Sequence, residues 1–204
     1  RRAGNLSVVN VEGEVEAAQE IVDAEGLFGK ITPSLLASAR SLRWVQAPTA
    51  SLEHYMFPEL VEHECELTNM RGLYSDMIGD QVLGYIICFA RKLHFYIRNQ
   101  IESRWEAVGG EAVRSQFVLG PGQSSPIDLA HIHLGDATLG IVGLGSIGSE
   151  IARRALACSM RVIAVDPVRE TPLDGVTFLR KLDALPQLLQ ESDFVAIAAP
   201  HTPE

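Results

Sequence analysis

The chain has 204 residues, 47% hydrophobic and 21% charged, a globular composition with enough apolar material for one large domain or two small ones. Its formal net charge of −9, from 17 Lys and Arg against 26 Asp and Glu with no basic block, excludes the phosphate-backbone footprint of a nucleic-acid binder. The most apolar run, Gln81 to Ala90, falls short of the roughly 20 residues that a membrane helix needs. Cys65, Cys88 and Cys158 form no CxxC pair, which argues against a disulfide scaffold and for a reducing, cytoplasmic setting. No apolar run follows Arg1-Arg2-Ala3-Gly4-Asn5, so no signal peptide is expected. There is no initiator Met, and His201-Thr202-Pro203-Glu204 follows an apolar strand directly, so the chain is expected to be a fragment cut at both ends.

The first third alternates short strands and helices, the rhythm of a parallel sheet covered by helices. Leu6 to Asn10 reads as a strand, Glu14 to Asp23 as a helix and Gly26 to Gly29 as a brief strand. Thr32-Pro33 starts a helix, with Thr as cap and Pro at the first helical position. Leu42 to Gln46 is a strand, Ala47 to His54 a loop, Phe57 to Leu60 the opening of a helix and Glu66 to Asn69 a last strand.

From Ser75, read as a cap, one long helix is predicted, with Ile78, Val82, Ile86, Phe89, Leu93 and Ile97 on one stripe and a run extending as far as Trp105. Gly109-Gly110 through Pro126 has the composition of an extended arm without a compact core. A second α/β unit begins at Thr138. It reads as strand Leu139 to Val142, helix Ser146 to Ser159 and strand Arg161 to Val165, then strand Val176 to Leu179, helix Asp183 to Gln190 and strand Phe194 to Ala198. The strand order is not legible, and a Rossmann-type start is the natural reading.

The sharpest chemical signal is Gly143-Leu144-Gly145-Ser146-Ile147-Gly148, set between a strand and a helix and followed by Asp166 at the end of the next strand. Gly143 makes the tight turn, Gly145 lets backbone approach a pyrophosphate, and Gly148 lets helix and strand pack closely. The helix start offers unpaired N–H groups and partial positive charge to the phosphates. Asp166 lies 18 residues after Gly148, near the offset at which an acid reaches the adenosine ribose. A carboxylate there accepts ribose hydroxyls and repels a 2′-phosphate, which favours NAD over NADP. Arg169 could soften that repulsion, but its ordinary reading is a solvated surface arginine.

With these residues, the chain resembles the D-isomer-specific 2-hydroxyacid dehydrogenases, which include phosphoglycerate dehydrogenases and glyoxylate/hydroxypyruvate reductases. The resemblance rests on Leu42-Arg43-Trp44-Val45-Gln46 and the loop after it, on Leu67-Thr68-Asn69-Met70-Arg71-Gly72, on Gly143 to Gly148 with Asp166-Pro167, and on Ser192-Asp193-Phe194 to Glu204. It implies an α/β protein of two Rossmann- or flavodoxin-like parallel-sheet domains, both incomplete in this chain. Residues 1–73 would be a partial substrate domain. Residues 74–204 would be a truncated NAD-binding domain, with a dimerisation arm about 98–135 and a homodimer as the assembly. In that family a loop binds the substrate carboxylate through backbone N–H groups, and Ala50, Ser51, Leu52 and Glu53 match it. The family usually has Gly where Ser51 stands, and Ser would be strained if that position required positive φ. Gly79-Asp80 is a second departure, from Ala-Glu. Ser146 and Ile147 match the phosphate-facing pair, and Ala199-Pro200 the segment lining the adenine and nicotinamide-ribose side.

The resemblance implies hydride transfer between a nicotinamide and C2 of a small 2-hydroxy or 2-oxo acid. Proton transfer by a His paired with a Glu, and an Arg gripping the substrate, would all lie downstream of Ala198, so no catalytic residue is assigned to this chain. His201 belongs to the cofactor-contacting segment and is not taken as the base. The alternative is a non-catalytic module of the same fold that senses NAD(H) and recruits partners. His131-Ile132-His133 lacks a third metal ligand nearby and reads as a polar arm, and Glu62-His63-Glu64 as a solvated turn. Cys88 and Cys158 read as core, and Trp105 and His94-Phe95-Tyr96 as packing or dimer contacts.

Overall fold

The computed structural model describes residues 6–111, 122–178 and 182–199. The chain divides into two compact units, Arg1–Leu73 and Tyr74–Glu204.

The first unit holds α1 (Glu14–Glu20), β1 (Gly26–Phe28), α2 (Pro33–Ser38), β2 (Trp44–Gln46), α3 (Pro58–Val61) and β3 (Glu66–Thr68). The strands form a parallel sheet in the order β1-β2-β3, with Leu27, Val45 and Leu67 in register. These three side chains share one face and pack with Ile21, Ile31, Leu35, Leu36 and Leu60 of the flanking segments. Helix α2 begins as its composition dictates: Thr32 Oγ1 accepts from Leu35 N at 3.3 Å and Pro33 occupies the first turn. Leu6 to Asn10, expected as a strand, forms none. Its β-branched residues supply propensity, but it pairs with neither edge of the sheet, and Leu6 and Val8 are exposed.

The second unit opens with α4 (Ser75–Ala90) and α5 (Leu93–Ile101) where one helix was expected. The break falls at Lys92, which takes the left-handed conformation (φ 57°), while Ile132 N donates to the Ala90 carbonyl at 3.0 Å. A distant segment thus captures a carbonyl at the end of α4. Neither Gly nor Pro marks the site, so local propensity could not reveal it. Tyr74, not Ser75, is the N-cap; Ser75 lies inside the first turn, buried, with its hydroxyl unpaired among the described residues. The apolar stripe divides too: Ile86 is buried, whereas Phe89 and Ile97 are more than half exposed. Trp105, read as a packing or dimer contact, is 78% exposed.

After α6 (Pro126–Ala130) come β4 (Thr138–Val142), α7 (Ser146–Ala157), β5 (Arg161–Val165), β6 (Val176–Phe178), α8 (Leu185–Glu191) and β7 (Phe194–Ile197). The parallel sheet runs β6-β5-β4-β7, which is the 3-2-1-4 start of a Rossmann fold. Leu139, Ile141, Val162 and Ala164 pack with Ile151, Ala152 and Ala155 of α7. Ile163 and Val165 pack with Leu188 of α8. Burial on both sides explains why β4 and β5 read as unbroken apolar runs. Gly140 serves this packing, since a Cβ there would clash with Ser192 Oγ and stand 2.6 Å from Leu188 Cδ2. No helix among the described residues is long and apolar enough to cross a membrane.

Candidate functional site

Strand β4 ends at Val142 and α7 begins at Ser146, so three residues, Gly143-Leu144-Gly145, must reverse the chain at the sheet's C-terminal edge. Gly143 does so at φ 92°, a conformation that glycine reaches without steric cost. It also admits a neighbour: a Cβ at Gly143 would stand 2.7 Å from Ala199 N, so the segment after β7 passes directly against the turn. A Cβ on Gly148 would clash with the Gly143 carbonyl oxygen, so the first turn of α7 closes onto the preceding loop only because position 148 is bare. Gly145 is the extended N-cap of α7 (φ −73°, ψ −155°) and supplies no side-chain cap. The N–H groups of Ser146, Ile147 and Gly148 therefore lie among the donors that an α-helix cannot satisfy internally, beside the positive end of its dipole.

The next strand delivers Asp166. Its Oδ2 accepts from Leu144 N at 2.7 Å, and its Oδ1 accepts from Val168 N and Arg169 N, each at 2.9 Å. A carboxylate has about four acceptor sites, so three backbone bonds still leave room for a hydroxyl. Partial burial pushes the Asp166 carboxyl up. The N–H groups of Arg169, Val168 and Leu144, with the Arg169 charge, outweigh it and hold the group below its ordinary value. Pro167, next in the chain, is exposed.

Arg169 is not the solvated arginine expected. The turn around Asp166 folds its side chain back over the glycine loop. Nη1 donates to the Leu144 carbonyl at 2.6 Å and to Ser149 Oγ at 2.8 Å, and Nε donates to the Thr171 carbonyl at 2.6 Å. Leu144, at the centre of the turn, is thus gripped on its N–H by Asp166 and on its C=O by Arg169. Three of the five guanidinium N–H groups are so committed, and the two on Nη2 have no partner among the described residues.

The first unit carries the other expected residues, Ala50, Ser51 and Leu52, on the loop between β2 and α3. Four consecutive carbonyls here have donors. Met70 N bonds Thr49 O at 3.0 Å, Asn69 Nδ2 bonds Ala50 O at 2.8 Å, Thr49 Oγ1 bonds Ser51 O at 2.7 Å, and Tyr55 N bonds Leu52 O at 2.8 Å. The N–H groups of Ala50, Ser51 and Leu52 have no acceptor among the described residues. Ser51 is not among the residues with positive φ, so the strain expected of Ser at this position is absent. Its hydroxyl instead accepts from Glu53 N at 3.3 Å.

Elsewhere, His131 is tied on both ring nitrogens, to Tyr96 Oη (2.9 Å) and to the Ile127 carbonyl (2.6 Å), and stacks on the Tyr96 ring. The described residues contain no group of three or more His, Cys, Asp or Glu placed to hold a metal. Pro200 and His201 lie outside the described residues. Sequence reasoning missed Asn69, Thr49 and the role of Arg169, none of which carries a spacing signal.

The family model for the D-isomer specific 2-hydroxyacid dehydrogenase NAD binding domain matches residues 83–204. A hydroxypyruvate reductase of Thermotoga maritima is 26% identical over 85% of this chain and 49% of its own length. Glyoxylate/hydroxypyruvate reductase B of Escherichia fergusonii is 28% identical over 100% of this chain and 58% of its own. The crystal structure of a D-isomer specific 2-hydroxyacid dehydrogenase family protein from Aeromonas salmonicida superposes with a TM-score of 0.72 at 26% identity, covering 94% of this chain and 55% of that one. The chain spans about half the length of the curated relatives it matches.

Proposed function

We propose, from the premise that the chain belongs to the D-isomer specific 2-hydroxyacid dehydrogenase family through its NAD binding domain, that the protein is an NAD-dependent oxidoreductase acting on a small 2-hydroxy or 2-oxo acid. The observation that carries this reading is the glycine turn between β4 and α7, with Asp166 held ionised beside it. Bound NAD supplies the hydride acceptor, and NADH the donor, for the C2 carbon of the acid. Gly143, Gly145, Ser146, Ile147 and Gly148 give the pyrophosphate a close backbone approach and N–H donors. Asp166 accepts from the adenosine ribose at the edge next to Pro167, and Ala199 and Pro200 line the same cofactor from the end of β7. The Asp166 carboxylate would repel a 2′-phosphate, which favours NAD over NADP.

In this reading residues 1–73 form the substrate domain and residues 74–204 the cofactor domain. Ala50, Ser51 and Leu52 hold the substrate carboxylate through their N–H groups. We assign no catalytic residue to this chain; the proton-transferring His and Glu and the substrate-gripping Arg belong to sequence following Ala198. The cytoplasm is its compartment. A homodimer fits the exposed Tyr85, Phe89, Ile97, Ile101 and Trp105, and light scattering reads it directly.

The test is initial-rate spectrophotometry of the intact protein with NADH against glyoxylate, hydroxypyruvate and further 2-oxo acids. Saturable NADH oxidation is the expected result. Tight NADH binding with no oxidation across the panel would sink the enzymatic reading in favour of an NAD(H)-sensing module.

A further inference from the structure

We propose that Asn69 is a positioning residue for substrate binding, acting through the Ala50 peptide. This rests on the reading that the loop after β2 receives the substrate carboxylate. All described peptides are trans, and in a trans peptide the C=O of one residue and the N–H of the next point in opposite directions. Whatever captures a carbonyl therefore also aims the following N–H away from the captor.

The bonds along the loop obey this rule in sequence. Met70 N holds the Thr49 carbonyl and so directs the Ala50 N–H to the opposite side. Asn69 Nδ2 holds the Ala50 carbonyl at 2.8 Å and directs the Ser51 N–H. Thr49 Oγ1 holds the Ser51 carbonyl at 2.7 Å and directs the Leu52 N–H. The Met70 tie is backbone and independent of residue type, and the Thr49 tie lies within the loop. Asn69 alone among the three fastens the loop to the end of β3 by a side chain. Its other amide atom, Oδ1, accepts from Arg71 N at 3.4 Å, which orients the amide so that the donor faces Ala50.

Asn69→Asp keeps the shape and the bond from Arg71 but sets a carboxylate oxygen against the Ala50 carbonyl; Asn69→Ala removes the tie. In the intact protein both variants are expected to raise the KM for glyoxylate by roughly fivefold to tenfold, the worth of about one hydrogen bond. The kcat and the dissociation constant for NADH should stay within about twofold of wild type. The preference for glyoxylate over methyl glyoxylate, whose ester carries no charge for the N–H groups to read, should narrow by the same factor as KM rises. A merely structural role would leave that preference unchanged. Unchanged KM and ester preference in either folded variant, or a parallel loss of NADH affinity, would overturn the assignment. Leu52→Pro, which deletes one of the three N–H groups, separates the two levels. If Leu52→Pro narrows the ester preference and the Asn69 variants do not, the role of Asn69 fails alone. If Leu52→Pro leaves the preference intact, the carboxylate reading of the loop fails, and the role of Asn69 with it.

Discussion

On the proposed reading, the two units each offer a row of backbone N–H groups to an anion, and they hold that row in place by opposite means. At the turn between β4 and α7 the donors belong to a helix start, and what keeps them open is the absence of side chains. Gly143 sits at a φ closed to other residues, and Gly148 tolerates no Cβ. In the loop after β2 the donors belong to irregular backbone without positive φ, and what keeps them open is the presence of side chains and neighbours that occupy each carbonyl. A helix supplies its unpaired donors by geometry. A loop must have each peptide turned individually. The first device fails when an atom is added, the second when a bond is removed.

The sharpest way to break this contrast is at Gly148. Gly148→Ala forces a methyl onto the Gly143 carbonyl oxygen. Overpacking of this kind costs about 1–3 kcal/mol or more, and here the strain falls on the donors themselves. NADH binding, read by fluorescence titration, should weaken by about a hundredfold or more, with a lowered Tm. Gly140→Ala is the control: its methyl would meet Ser192 and Leu188, away from the turn. It should lower Tm comparably and change NADH affinity by less than about threefold in the folded fraction. Equal losses of affinity in both would show that Gly148 acts only through stability.

Next in size is the carboxylate. Asp166→Ala removes the group that would repel a 2′-phosphate, so the ratio of NADPH to NADH affinity should rise by about tenfold or more. The same variant tests the ionisation of Asp166. A carboxyl held below its unfolded value contributes stability that is complete above that value, about pH 3.9, and is lost as pH falls through the lower folded one. The Tm gap between wild type and Asp166→Ala should therefore be constant from about pH 7 to 5 and shrink below about pH 4. A gap that widens on acidification would contradict the depressed pKa. Arg169→Met comes third. It keeps the stem and loses three hydrogen bonds, and NADH affinity should fall roughly tenfold as Leu144 loses its second anchor. Gain of NADPH binding in this variant would mean that the guanidinium does not play the part assigned to it.

The same contrast explains which parts could be read from sequence. The turn of Gly143 to Gly148 was legible because its constraints are local: a strand, two bare positions and a helix start within a few residues. Thr32-Pro33 and the apolar runs of β4 and β5 were legible for the same reason. The break at Lys92 was not, because the partner that takes up the Ala90 carbonyl there, Ile132 N, lies 42 residues away from Ala90. The same holds for Asn69 beneath Ala50 and for Arg169 over Leu144: each is an ordinary polar residue whose partner is chosen by tertiary structure. Leu6 to Asn10 shows the converse error, since β propensity without a partner strand makes no strand.

The smallest expected effect is at Ser51, where the family usually carries glycine. Were this loop built like the glycine turn, glycine would relieve strain here and Ser51→Gly would stabilise the protein and tighten substrate binding. Ser51 does not have positive φ, so there is no such strain to relieve. Glycine would instead widen the unfolded ensemble, at roughly 0.5–1 kcal/mol, and would release Glu53 N from the Ser51 hydroxyl. The N–H of residue 51 survives the change, and so do the three ties that aim the loop's donors. Ser51→Gly should therefore lower Tm by only a few degrees and raise the KM for glyoxylate by no more than about threefold. A rise in Tm together with a lower KM would mean that the loop, like the turn, is held open by what it lacks.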